Sequence, residues 1–352
     1  MTEDMEHRVR RDALTALDRL GLSPAGPMRR LPTPWDRPRR QVVHLRAGSG
    51  HPAEVAVKVV LDPDAEAARA FAQEHFLPRR LRPVADGLVH RGEIPHNPIV
   101  QVLHPEPVRL PGSLVAVTRF VRASGPLDAT TWGRTLGLLH RIGSTPSAIG
   151  LLRGLPESHT LAGLDAHALA RAFRQPGHPF HGRTDLARRL RRVLRERVLR
   201  ALELDPEPLL THRDFHALNC VSSRDGAVVL DWQEAGWGSR SDDFAWLHLT
   251  VSRFGGHPHL LDEARHAYRR ATGGICPTEA QIRAAGQVRE LLCLGFSLIK
   301  ADLSPAHRRE ALNQLPILRD PDAPTRRWRM LHNPAIFAPG IVPTHGPEAA
   351  TA

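Results

Sequence analysis

The sequence predicts a two-lobed α+β protein, with an antiparallel sheet in residues 1–122 and a mainly helical lobe in 123–333. Three observations predict it. Short β-branched runs broken by Pro and Gly fill residues 27–60, helical periodicity takes over from Thr130, and strand-like runs return around a loop between Leu209 and Trp246.

The elements follow in order. Residues 6–20 alternate apolar and charged positions at helical spacing and form a leading helix. Residues 41–46 (QVVHLR) and 54–60 (EVAVKVV), joined by AGSGHP, read as a hairpin. A helix over 63–81 starts at Pro63 and Asp64 and has Phe71, Phe76 and Leu77 as its buried stripe. Strands are expected at 99–103 and 114–121, which completes a five-stranded sheet. The character changes at 122–129. Trp132, Leu136 and Leu139 then share a helical stripe, and further helices are expected at 161–173 and 184–204. The runs 220–222 and 227–230 are strand-like. Thr278 and Gln281 form a capping box for a helix over 278–300, and Pro305 opens another over 304–315. The Pro-rich tail, 334–352, reads as an extended arm or as disordered.

Composition removes several classes. At 352 residues, 41% hydrophobic and 24% charged, the chain has material for a core and is not disordered throughout. The longest apolar run, residues 291–299, is far short of the roughly 18 to 20 residues that span a bilayer. The N-terminus lacks the basic start and apolar stretch of a signal peptide, and Cys220, Cys276 and Cys293 fit neither a disulfide framework nor a zinc site; a reducing cytoplasm is expected. The net charge of +11 raises nucleic-acid binding as an alternative. Against it, only Lys58 and Lys300 among 48 basic residues are lysine, the arginine-rich pattern of GC-rich codons, and aromatic residues are only 5%. The densest basic run, 188–200, interleaves with Leu190, Val193 and Leu194 at helical spacing and reads as a solvated face.

Chemistry concentrates in residues 211–232. The stretch THRDFHALN (211–219) puts Asp214 and Asn219 on one loop, and VVLDW (228–232) puts Asp231 at the end of a strand twelve residues after Asn219. Single aspartates at turns are common for turn chemistry alone; their joint spacing with Asn219 is what signals function. Oxygen ligands such as Asn219 and Asp231 suit Mg²⁺ that is itself holding phosphate, which leaves Asp214 to orient a hydroxyl and accept its proton. A lysine in a β-branched strand of a chain that otherwise uses arginine needs a partner, and Lys58 is such a residue. The following helix offers Glu66 and Glu74, eight and sixteen residues on.

These motifs resemble the aminoglycoside phosphotransferase family and its choline-kinase and macrolide-kinase relatives. The family pattern His-x-Asp-x-x-x-x-Asn reads HRDFHALN (212–219) here, and Asp-Trp-x-x-x-x-x-Gly-x-x-x-x-Asp-apolar-Ala reads DWQEAGWGSRSDDFA (231–245). Asp-Trp stands where protein kinases have Asp-Phe-Gly. Upstream, LGLLH (136–140) resembles the family's helix ending in Leu-His and AVK (56–58) its third-strand lysine, so the likeness covers residues 28 to about 300. It implies a protein-kinase-like fold and a nucleotide-dependent O-phosphotransferase with Mg²⁺ and ATP or GTP. The implied site has Asp214 as catalytic residue, Asn219 and Asp231 as metal ligands, and Lys58, Glu74, Thr118, Arg119, Phe120 and Val121 on the nucleotide. His212 and Asp243 support the catalytic loop. Of the two candidate carboxylates the resemblance favours Glu74, with Glu66 its rival.

The glycines Gly48 and Gly50 stand too close to Lys58 for the turn between the first two strands and fit the turn between the second and third. The nucleotide loop then falls at 31–40, LPTPWDRPRR, which has no glycine; Arg37, Arg39 or Arg40 would serve phosphates there, or the loop is a Pro-stiffened surface. His216 and most other histidines read as surface residues, and Cys220 as a packed thiol. Residues 246–352 carry nine Asp or Glu against thirteen Lys or Arg, which favours a neutral or nucleoside- or macrolide-type hydroxylated acceptor over a polycationic aminoglycoside. Antibiotic inactivation is the first expectation. A metabolic sugar or amino-alcohol kinase is the alternative, and a non-catalytic kinase fold stands further off because Lys58, Asp214, Asn219 and Asp231 are all present.

Overall fold

The computed structural model describes residues 3–22, 28–30, 42–47, 54–125, 127–152, 166–323 and 326–329. The chain divides into two compact units, Met1–Gly125 with Asn219–Ala235, and Pro126–Leu218 with Gly236–Ala352. A single cut at residue 122 was the sequence expectation, with 219–235 in the helical lobe. That stretch packs instead with the first unit, for a reason visible only in three dimensions: Val229 N–H donates to Pro98 O at 2.7 Å and Val229 bridges Ile99 in parallel.

In the first unit, α1 (Glu3–Arg19) buries Val9, Ala13, Ala16 and Leu17 against one face of a five-stranded antiparallel sheet. The strand order is β1 (Arg29–Arg30), β2 (Val42–Ala47), β3 (Val55–Leu61), β5 (Ser113–Arg119) and β4 (Val108–Leu110). Side chains alternate across a pleated strand. Val55, Val57 and Val59 of β3 therefore join the α1 core, while Val60 packs with Phe71 on the opposite face. Lys58, in phase with Val60, shares that second face.

The second face carries α2 (Ala65–His90), whose N-cap Asp64 accepts from Ala67 N–H at 2.7 Å. Its expected end at Leu81 is passed by nine residues, through Pro78 and Pro83. Proline removes a helical hydrogen bond and crowds the preceding turn, but Leu77, Leu81, Ala85 and Leu88 are buried along the continuing stripe and hold the helix. Phe76, expected in that stripe, is 37% exposed and lies beneath Arg80. The expected strand at 99–103 is reduced to isolated bridges, Ile99 to Val229 and Val102 to Thr118, and β4 lies further on. The unit is completed by the hairpin of β7 (Cys220–Ser223) and β8 (Gly226–Val229).

The second unit is helical: α3 (Ala129–Gly143), α4 (Pro146–Leu152), α5 (Ala166–Arg174), α6 (Thr184–Leu204), α7 (Ala245–Ser252), α8 (His259–Ala271), α9 (Glu279–Ile299) and α10 (Pro305–Gln314). The capping box at Thr278 and Gln281 closes both of its bonds at the start of α9. Helices α4, α7 and α8 lie outside the sequence expectation. Gly133 lies so close to α8 that a Cβ would stand 2.1 Å from Ala264 O, so α3 and α8 touch backbone to backbone. A short ribbon, β6 (Leu209–Thr211) antiparallel to β9 (Gly236–Gly238), carries the chain into and out of the catalytic-loop region. The three cysteines are free thiols. No helix among the described residues is long and apolar enough to cross a membrane. The loop 31–40, the turn at Gly48–Gly50 and the tail from 334 lie outside the described residues.

Candidate active site

The first unit assembles a charge cluster around Lys58. The pleat of β3 aims the side chain at α2, where Lys58 Nζ donates to Glu74 Oε2 at 2.5 Å and stands 3.5 Å from Asp231 Oδ1. Between the two candidates, the structure pairs Lys58 with Glu74; the side chain of Glu66 is outside the described set. Burial alone would lower the Lys58 pKa, but Asp231 and Glu74 together raise it and keep the ammonium charged. Glu74 shares its cation with a second carboxylate, and burial with the charge of Asp231 pushes it up to about 7 against the pull of Lys58.

Asp231 follows β8 in the left-handed region, φ 57°, and begins a 3₁₀ turn fixed by buried Trp232, whose Nε1–H donates to Val229 O at 3.1 Å. A non-glycine residue held there costs on the order of 1 kcal/mol, and aspartate tolerates the conformation better than most. Asn219 closes the 3₁₀ turn before β7, and its carbonyl accepts from Leu230 N–H at 2.8 Å. That one bond brings Asn219 and Asp231 to the same end of the hairpin.

The donor set fits Mg²⁺. Asp231 Oδ1 is buried and its contact to the Lys58 ammonium is a long 3.5 Å, so the carboxylate can take up a further cation, and Asn219 is an oxygen-bearing residue at the same end of the hairpin. Among the described residues no group of three or more His, Cys, Asp or Glu could hold a metal by itself. Two protein oxygens complemented by phosphate and water is the pattern of a nucleotide-borne Mg²⁺ rather than of a protein cage.

Thr118 to Val121 run out of β5. Thr118 pairs with Ala56, Arg119 N–H donates to Gln101 O and Phe120 N–H to Glu54 O, both at 2.8 Å. The amides of Arg119 and Phe120 are therefore both engaged within the first unit.

The second unit holds the loop 212–218 that carries Asp214. Asp243, fully buried, receives His212 N–H on Oδ2 at 3.0 Å, Arg213 N–H on Oδ1 at 2.5 Å and His140 Nε2 on Oδ2 at 2.9 Å. Burial would raise its pKa, but His140 and His212 and these donors hold it below the ordinary carboxylate value. His140 Nδ1 is 2.8 Å from the hydroxyl of Tyr268, which burial keeps protonated and so able to donate. The loop backbone is thus tied to α3 and α8 through one carboxylate, with Arg213 accepting φ 63° to make the turn. Asp243 braces the loop through the backbone of His212 and Arg213.

Asp214 projects from the braced loop. Trp246 Nε1–H on α7 donates to Asp214 Oδ1 at 2.8 Å, His216 Nε2 is 3.5 Å from Oδ2, and Arg289 Nη1 on α9 is 3.9 Å from Oδ1. Arg289 also lies over the Trp246 ring, 5.1 Å from its centroid, and donates to Arg213 O. Burial would push the Asp214 carboxyl up, yet His216, Arg289 and His212 overrule it and hold it well below the usual carboxylate range. His216, expected on the surface, is 3% exposed and edge-on to Trp246, because the loop folds it under the carboxylate. Trp246 and Arg289 lay outside the sequence-derived site. A tryptophan three residues after Asp243 was a legible signal; one arginine among 46 was not.

Comparisons with known proteins place this geometry in context. The model of the phosphotransferase enzyme family matches residues 109–284. A choline/ethanolamine kinase family protein from Mesorhizobium loti superposes with TM-score 0.55 at 17% identity, covering 91% of this chain and 96% of that one. A macrolide 2'-phosphotransferase from Brachybacterium faecium gives 0.52 at 18% identity, covering 89% and 99%. An amicoumacin kinase solved with AMP-PNP, Ca²⁺ and Ami gives 0.55 at 13% identity, covering 92% and 98%. At these identities the likeness is one of fold: two-lobed, α+β and kinase-like. No curated protein matches the chain.

Proposed function

This chain belongs to the phosphotransferase enzyme family, and from that premise we propose that it transfers the γ-phosphate of ATP or GTP to a hydroxyl of a small molecule. The observation that carries the reading is the buried Lys58 shared by two carboxylates, Glu74 at 2.5 Å and Asp231 at 3.5 Å. A structural ion pair needs one carboxylate; a phosphate site with a metal uses the second.

In this reading Lys58, held in aim by Glu74, pairs with phosphate oxygens, and Asn219 and Asp231 hold Mg²⁺. The metal neutralises charge on the transferring phosphoryl oxygens when bound. Thr118, Arg119, Phe120 and Val121 lie along the base. Asp214, kept ionised by its cationic neighbours, orients the acceptor hydroxyl and takes its proton late, as a loose transition state requires. Asp243 and His212 hold the loop that carries it.

For the acceptor, a neutral or nucleoside- or macrolide-type antibiotic fits better than a polycationic aminoglycoside. Residues 246–352 are basic in balance, and the guanidinium of Arg289 lies 3.9 Å from Asp214, where it disfavours a further ammonium. The solved kinases named above include proteins for a macrolide and for amicoumacin, and the role we infer is antibiotic inactivation or self-protection in the cytoplasm. The test is a nucleotide-consumption screen over hydroxylated antibiotics and metabolites, with mass spectrometry for an added phosphate. A sugar or amino alcohol as best acceptor would move the role to metabolism, and absence of Mg²⁺-dependent transfer to any hydroxyl would remove the activity itself.

A further inference from the structure

We infer that Trp246 is a positioning residue for phosphoryl transfer: its indole N–H fixes which way the carboxylate of Asp214 faces. The inference rests on the role proposed for Asp214. A carboxylate can rotate about its last bond, and an oxygen turned away from the acceptor hydroxyl neither orients it nor takes its proton.

The structure places a directional donor on one oxygen. Trp246 Nε1–H donates to Oδ1 at 2.8 Å, whereas the cation beside the same oxygen, Arg289 Nη1, is at 3.9 Å and the imidazole beside Oδ2, His216 Nε2, at 3.5 Å. The bond to Trp246 is the shortest of these three, and an indole N–H can only donate, so its orientation is unambiguous. The donor is itself immobilised. Trp246 is 8% exposed, with Arg289 over its face at 5.1 Å and the His216 ring against it at 5.6 Å and 86°. Arg289 ties the arrangement back to the loop by donating to Arg213 O. A tryptophan present only to fill a core has no need to aim its nitrogen at an ionised carboxylate; here the ring packs and the nitrogen positions.

The wild-type protein gives the first test without any acceptor. In ¹⁵N-indole NMR the Trp246 Nε1–H resonance, identified by its loss in Trp246→Phe, should lie downfield and shift in Asp214→Asn, where a neutral amide replaces the carboxylate. A resonance unmoved by Asp214→Asn overturns the inference. The second test reads turnover, with Mg²⁺-dependent nucleotide hydrolysis as probe and water as acceptor, and then with the acceptor found by screening. Trp246→Phe keeps an aromatic ring beneath Arg289 and should lower turnover roughly tenfold with nucleotide affinity unchanged. In the Asp214→Asn background the same substitution should have no further effect, since the group it positions is gone. Wild-type turnover in Trp246→Phe, or an equal loss in both backgrounds, overturns the positioning role. Wild-type turnover in Asp214→Asn instead overturns the reading beneath it, so the two failures are distinguishable.

Discussion

Replacing Asp214 by asparagine removes one charge and almost no volume, so it isolates what the carboxylate does. The amide oxygen can still accept from Trp246 Nε1–H, and the loop brace at Asp243 is untouched. What is lost is the counter-charge for Arg289, at a cost to folding of about 1 kcal/mol. Catalytically the loss is larger. Removal of a positioned proton acceptor costs roughly 10²-fold or more in rate, or about 2.7 kcal/mol in the barrier. Nucleotide affinity should stay near normal, because Lys58, Glu74 and Asp231 satisfy one another without Asp214. The pH dependence has a definite sign. The folded carboxyl is held below its unfolded value of about 3.9, so its stabilising contribution is present above that pH and is lost as pH falls through the depressed folded value. Turnover should therefore show no acid limb from Asp214 in the physiological range. The assay is kcat with the identified acceptor, together with nucleotide Kd by calorimetry, in both proteins. If Asp214→Asn loses nucleotide affinity and keeps its rate per bound complex, Asp214 is a binding or structural residue and the argument is refuted.

Asp231→Ala should abolish Mg²⁺-dependent turnover, and Lys58→Ala should cut kcat/KM roughly 10²-fold by mis-seating phosphates, while both retain the far-ultraviolet circular dichroism of the wild type; full activity in either at saturating nucleotide contradicts the site. Asp243→Ala strands two backbone donors and His140 in a fully buried place and should destabilise the protein by about 4 kcal/mol, a fall in Tm of roughly 5 °C or more, with an unchanged Tm counting against the brace. His248, which burial and Arg253 hold down to about 4, should make stability fall as pH drops from its unfolded value near 6.5 toward 4. The contribution present above 6.5 is lost across that window. His248→Gln should flatten the limb by about 2 kcal/mol in urea unfolding at pH 4.5, and an unchanged pH profile would show that the ring titrates normally.

Short-range chemistry explains what was legible in the sequence. The alternation of 54–60 placed Lys58 in a strand and the capping residues placed α9 and α10, because each depends on residues a few positions apart, and the fixed spacing of Asp214, Asn219, Asp231 and Asp243 within thirty residues pointed to phosphotransferase chemistry. Tertiary structure decided the rest. Glu74 meets the lysine because the pleat of β3 and the docking of α2 fix which turn of the helix is opposite. Helix α2 outlasts Pro78 and Pro83 because buried leucines further along outweigh the local penalty, which propensity alone cannot weigh. His216 is buried, and Trp246 and Arg289 reach Asp214, because α7 and α9 bring residues 32 and 75 positions away against one carboxylate. Which arginine of 46 meets which aspartate is a matter of packing, and only the folded chain specifies it.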